Sequence, residues 1–125
     1  MADLATVAKQ FTDFYYNTFD TNRPALASLY RPESMLTWEN NQILGVTNIV
    51  EKLVSLPFEK VAHKVETCDA QPSNPAVSSI IVLVTGLLRV DDGEQPLPFT
   101  QTFQLIPDAG TYYVYNDIFR LNLGG

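Results

Sequence analysis

From Leu4 to Phe19, apolar residues recur every three to four positions. Leu4, Val7, Ala8, Phe11, Tyr15, Thr18 and Phe19 form one stripe of a helix, and Phe14 widens it. Asp3 stands where an N-cap belongs, and Asp20-Thr21-Asn22 breaks the pattern. Pro24 suits the first turn of a short second helix carrying Leu26, Leu29 and Tyr30, which Arg31-Pro32 stops. Ser34 to Trp38 alternates, predicting a strand that pairs with Gln42 to Leu44 across an Asn40-Asn41 turn. Thr47 is placed to cap a third helix with Ile49, Val50, Leu53 and Val54 on its apolar face, and Pro57 ends it. From Lys60 the period becomes two. Val61, His63, Val65 and Thr67 then share one face, and Ala62, Lys64, Glu66 and Cys68 the other.

Everything after that helix reads as strand. Lys60 to Cys68 is followed by a loop at Pro72, Ser73, Asn74 and Pro75, and Val77 to Val90 is nearly continuous in apolar residues. Asp91-Asp92-Gly93 and Pro107-Asp108-Ala109-Gly110 mark turns around the alternating run Phe99 to Ile106, and Tyr112 to Leu121 closes the chain. Three helices at the front and long hairpins behind predict an α+β domain with a curved, mostly antiparallel sheet, one domain over residues 1–125. Alternation puts Tyr113, Tyr115 and Phe119 on one face of the last strand, and Tyr112, Val114 and Ile118 on the other. Both faces are apolar and three helices cover only one, so a second copy of the chain is expected on the other: a homodimer.

Composition narrows the function. The formal net charge is -6, from 8 Lys+Arg against 14 Asp+Glu, which argues against nucleic acid and against anionic membrane surfaces. No run approaches the length a membrane span needs. The segment Met1 to Ala8 has no basic region leading into a long apolar core, and the single cysteine, Cys68, cannot form an internal disulfide. A reducing compartment is the expected setting.

Most familiar chemistry is absent from the sequence. One histidine and one cysteine do not make a structural zinc set, so no metal or cofactor is expected. No phosphate loop or nucleophile elbow occurs, and Asp91-Asp92-Gly93-Glu94 is too short for a calcium loop. Simple alternation sends His63 and Cys68 to opposite faces, which argues against a protease-like dyad. Three places remain. Trp38-Glu39 sets the only tryptophan beside a carboxylate; His63 points the same way as two valines; Asn116-Asp117-Ile118-Phe119-Arg120 sets an acid where it can pair with Arg120 or a helix terminus.

The chain resembles the nuclear transport factor 2 family over essentially its whole length. The resemblance is carried by Phe14-Tyr15-Tyr16 with Phe19-Asp20, by Leu36-Thr37-Trp38-Glu39, and by Ile49-Val50-Glu51-Lys52-Leu53 running into Ser55-Leu56-Pro57-Phe58. His63, Asp69 with Gln71-Pro72, and Asn116-Asp117-Ile118-Phe119-Arg120-Leu121 complete it, in order and at matching spacing. The resemblance implies a homodimer of cone-shaped subunits, each a curved sheet wrapped around a long helix. It implies a non-enzymatic import carrier for the small GTPase Ran in its GDP form, which also binds phenylalanine-glycine repeats of nucleoporins. Such a carrier moves between cytoplasm, nuclear pore and nucleoplasm. An aromatic side chain of Ran would enter an apolar mouth lined by Trp38, Leu56, Val61, Ile118 and Phe119, with His63 in the same binding set. Glu39 and Asp91 match acidic rim positions, and Asp92 or Glu94 matches a third. Relatives commonly place an aromatic for nucleoporin binding near the start of the first helix, where this chain has Leu4.

A rival reading is an isomerase or dehydratase, since the same fold hosts such enzymes around its cone-shaped pocket. Glu39 would then be a base and Tyr16 a hydrogen-bond donor, with Asp117 and His63 beside them. The acidic turn at Asp91-Asp92 favours a basic protein partner over a small-molecule pocket.

Overall fold

The computed structural model describes residues 3–57, 59–91, 93 and 95–122. An 18-residue helix α1 (Leu4–Thr21) leads through a 3-10 helix (Arg23–Leu29) into β1 (Tyr30–Trp38), β2 (Asn41–Leu44) and α2 (Val46–Val54). Four long strands follow: β3 (Val61–Pro72), β4 (Ile80–Val90), β5 (Leu97–Asp108) and β6 (Thr111–Leu121). They form one six-stranded sheet in the order β2-β1-β6-β5-β4-β3. Every neighbouring pair is antiparallel except β1 with β6, which run parallel because the chain crosses from the first strand pair to the far edge and returns.

The inner face of the sheet carries Leu36 and Trp38 from β1, Val82, Val84 and Leu88 from β4, Phe99, Phe103 and Leu105 from β5, and Val114 and Phe119 from β6. Of the stripe of α1 read from the sequence, Ala8, Tyr15, Thr18 and Phe19 are buried against this face, joined by Thr12 and Tyr16 from outside it, whereas Phe14, read as widening it, is 53% exposed. Tyr15 meets the Phe103 ring edge-on at 4.8 Å, and Tyr16 meets Phe99 at 5.9 Å. Ile49 and Leu53 of α2 and Leu26 of the 3-10 helix are fully buried in the same core. The sequence-predicted α+β fold, helices on a curved and mostly antiparallel sheet, is the one observed.

Four local expectations are corrected. The β1–β2 turn is Glu39-Asn40, not Asn40-Asn41, because Trp38 pairs directly with Asn41. Helix α2 begins one residue before Thr47. Gly45 at φ 90° holds its N-cap position and donates to the Ser34 carbonyl at 2.8 Å, an entry that residues with a side chain rarely adopt.

The other two corrections are bulges, and both alter the candidate site. In β3 the ladder passes from Val65–Gly86 to Thr67–Thr85, so Glu66 is an extra residue. Thr67 is thereby displaced from the face of Val61 and His63, while Cys68 and Ala70 turn inward onto the core. In β6 the ladder passes from Leu105–Val114 to Gln104–Asn116, leaving Tyr115 unpaired. Phe119 therefore shares the inner face with Val114, not with Tyr113.

Candidate functional site

At one end of the sheet the C-terminal ends of β1, β4 and β6 meet the starts of β3 and β5. Trp38 ends β1 there and lies flat on Phe119, with ring centroids 4.1 Å apart and planes within 5°. Phe19, from the last turns of α1, stacks on the indole with centroids 6.2 Å apart, and Phe99 stacks on Phe119 at 5.6 Å with planes 21° apart. Leu56 and Val61 are buried in the same core. Strand register puts Trp38 opposite Phe119 and Val61 opposite Val90, one residue before Asp91, so the apolar cluster and both acidic residues share this end of the fold. In the single chain this aromatic end is closed, with Trp38 9% and Phe119 1% exposed; we call it the mouth.

Glu39 sits in the turn directly after Trp38 at φ 60°. Its amide donates to the Phe119 carbonyl at 3.0 Å, and its carboxylate Oε1 accepts the amide of Leu121. Asp91 has the same left-handed backbone, φ 51°, and its amide donates to the Lys60 carbonyl at 2.8 Å. Asp91 Oδ1 accepts the amides of Glu59 and Lys60, both at 2.9 Å.

His63 lies behind the mouth. Its Nδ1 is 2.6 Å from Asp20 Oδ1, its amide donates to Asp20 Oδ2 at 3.0 Å, and its side chain is 1% exposed. Tyr16 packs over the imidazole at 4.6 Å and Phe19 meets it edge-on at 5.0 Å. Asp20 thus grips both the ring and the backbone of β3, which fastens the end of α1 to the edge strand. Because of the Glu66 bulge, His63 and Cys68 line one groove of about 750 Å³ between α1 and β3, not opposite faces of the sheet. Burial raises the Cys68 thiol above its ordinary pKa, and Thr12 Oγ1 lies 4.0 Å from the sulfur.

Deeper inside, Asp117 is fully buried. Gln101 Nε2 donates to its Oδ1 at 2.8 Å, and Tyr30 and Tyr15 donate to Oδ2 at 2.7 and 3.3 Å. Tyr16 donates to Gln101 Oε1 at 2.8 Å and completes the chain of bonds. Burial pushes the Asp117 carboxyl up to about 6, and its three donors moderate the rise. The same burial pushes the hydroxyls of Tyr15, Tyr16 and Tyr30 well above their usual range.

Of the residues read from the sequence, this end of the fold brings together Trp38, Glu39, Val61, Asp91 and Phe119, with His63 adjoining, while Leu56 is placed only in the buried core. Ile118 is not part of it: with Phe119 inward and 1% exposed, Ile118 points out of the opposite face and is 49% exposed. Asp92 and Glu94 lie outside the described residues. Leu4 opens α1, half-buried against the core margin. Sequence reasoning missed Phe19 as a wall of the mouth, Asp20 as the partner of His63, and Gln101 with Tyr30 as partners of Asp117. A clue existed for Gln101, a polar residue in phase with Phe99 and Phe103 on an alternating strand. Asp20 gave no such signal.

Helices on one face of a curved, mostly antiparallel six-stranded sheet, with an aromatic cluster at its end, define the class of α+β protein. The model of the Nuclear transport factor 2 (NTF2) domain matches residues 7–121, and this chain belongs to that family. It is 57% identical over 120 residues to nuclear transport factor 2 of Candida glabrata, covering 96% of this chain and 95% of that protein. The solved structure of nuclear transport factor 2 from Cryptosporidium parvum superposes with a TM-score of 0.89 at 50% identity, over 95% of this chain and 94% of that one. A putative scytalone dehydratase from Novosphingobium aromaticivorans shares the fold alone, with a TM-score of 0.74 at 14% identity over 95% of this chain and 84% of that one.

Proposed function

We propose that this chain is a nuclear transport carrier whose cargo is Ran in its GDP form. What carries the reading is the mouth itself, where a stacked Trp38–Phe119 wall lies beside two carboxylates at one end of the fold. An apolar anchor ringed by charge is the layout of a protein-binding hot spot. Its acidic rim speeds the approach of a basic partner and rejects acidic ones. Selection for GDP needs no contact with nucleotide. A switch segment that reorders with the γ-phosphate would present its aromatic and basic residues in one state only.

The carrier would work as a homodimer, bind phenylalanine-glycine repeats of nucleoporins near Leu4, and pass between cytoplasm and nucleoplasm through the pore. Asp92 or Glu94 would add a third acid to the rim. No reaction and no cofactor belong to this reading. Three of the groups an isomerase or dehydratase would use are engaged elsewhere: Tyr16 with Gln101, Asp117 with Tyr15, Tyr30 and Gln101, and His63 with Asp20.

The test is titration calorimetry against Ran loaded with GDP or with a GTP analogue. Binding of the GDP form alone is expected. Glu39→Lys should weaken it by at least about 2–5 kcal/mol, since a like charge replaces an attractive one. Equal binding of both nucleotide forms would overturn the cargo reading, and unchanged affinity in a folded Glu39→Lys protein would remove Glu39 from the site.

A further inference from the structure

The two rim acids share a geometry that a purely electrostatic role does not require. Both stand at positive φ, 60° for Glu39 and 51° for Asp91, in turns that follow a strand of the mouth. That conformation is uncommon for a residue with a side chain. Both use the backbone amide and the side chain to hold one neighbouring segment. Glu39 holds the end of β6 through the Phe119 carbonyl and the Leu121 amide, on either side of Arg120. Asp91 holds the strand-entry segment through the Lys60 carbonyl and the amides of Glu59 and Lys60, directly before Val61. Among the described residues, no further donor meets Glu39 Oε2 or Asp91 Oδ2.

We infer that Glu39 and Asp91 are positioning residues for the mouth as well as its charge: each fixes one wall with one carboxylate oxygen and offers the other to the bound protein. Glu39 sets the register of β6, and so the height of Phe119 against Trp38. Asp91 sets the start of β3, and so the place of Val61. A carboxylate bonded to backbone amides is already oriented when the partner arrives, so less side-chain freedom is lost on binding. The same bonds offset the strain of the left-handed turns. This rests on reading the mouth as the protein-binding site.

Charge and positioning separate with two pairs of variants. Glu39→Gln and Asp91→Asn keep an acceptor oxygen for the backbone amides but lose the charge, and asparagine tolerates the left-handed backbone. Glu39→Ala and Asp91→Ala lose both. Amide hydrogen exchange in the unliganded protein reads the latch. Exchange at Leu121, or at Glu59 and Lys60, should speed up about tenfold or more in the alanine variants and stay within about threefold of the parent in the amide variants. Association and dissociation rates with Ran-GDP read the function. Association should slow alike in both members of a pair, and dissociation should quicken only in the alanine member. Unchanged exchange in the alanine variants overturns the inference, and so do equal dissociation rates within each pair. A parent protein that fails to bind Ran-GDP would instead sink the carrier reading, and exchange alone would then decide the latches.

Discussion

Asp117 is the residue whose protonation the fold controls most directly. Its carboxyl is raised to about 6, whereas aspartate in an unfolded chain titrates near 3.9. Between those values the folded protein holds a proton that the unfolded chain has released. This contribution to stability is therefore fully present below about pH 4 and is lost as pH rises through about 6. Asp117→Asn removes the titration and keeps the shape. Urea melts at fixed protein concentration should show the variant gaining on the parent by about 2–3 kcal/mol between about pH 4 and pH 7.5. Parallel stability curves would show that Asp117 does not titrate in that window. His63 is a different case: a histidine between two valines in the sequence is apolar-facing, but its fixed partner, Asp20, is 43 positions away on the end of a helix. No local pattern encodes that pairing.

The edge of the sheet depends on one glycine and one bulge. Gly86 pairs with Val65 just where Glu66 bulges from β3, and a Cβ placed on it would stand 2.2 Å from the Lys64 carbonyl oxygen and 3.1 Å from the Phe99 ring. The nearer obstacle is backbone, so the strands themselves must part. Gly86→Ala should cost about 3 kcal/mol or more, at or above the upper end for overpacking, and denaturant unfolding measures it. A loss under about 1 kcal/mol would mean the edge strand yields easily. The helices were legible because a stripe at 3.6-residue spacing is read from one segment alone. The two bulges were not, since an extra residue is defined only against the partner strand. They reversed the placement of Cys68 and Phe119 relative to simple alternation.

Across the molecule, the outer face of the sheet is the large apolar surface left open by the helices. Leu83, Thr102, Ile118 and Thr37 form one row across four strands, and Ile81, Gln104, Asn116 and Met35 the next. Ile81, Leu83 and Ile118 are 41%, 43% and 49% exposed in the single chain. A second copy seated here would bury them. Sedimentation equilibrium at micromolar concentration should give twice the 14.0 kDa of one chain, and Ile118→Asp should shift the protein to monomer. A monomeric parent would overturn the dimer.

The sequence alone determined the helices, the succession of strands along the chain and the place of Trp38 beside an acid, because periodicity, caps and turn residues act over a few neighbouring positions. Tertiary structure alone decided that Ile118 faces outward and Phe119 inward, that Asp20 holds His63, and that Asp117 is buried with Tyr15, Tyr30 and Gln101. It also decided that Glu39 and Asp91 bond backbone amides 82 and about 30 positions away in the chain. These facts depend on which segments meet in space. Buried polar groups must find partners wherever the fold brings donors within reach, and spacing along the chain does not say where that will be.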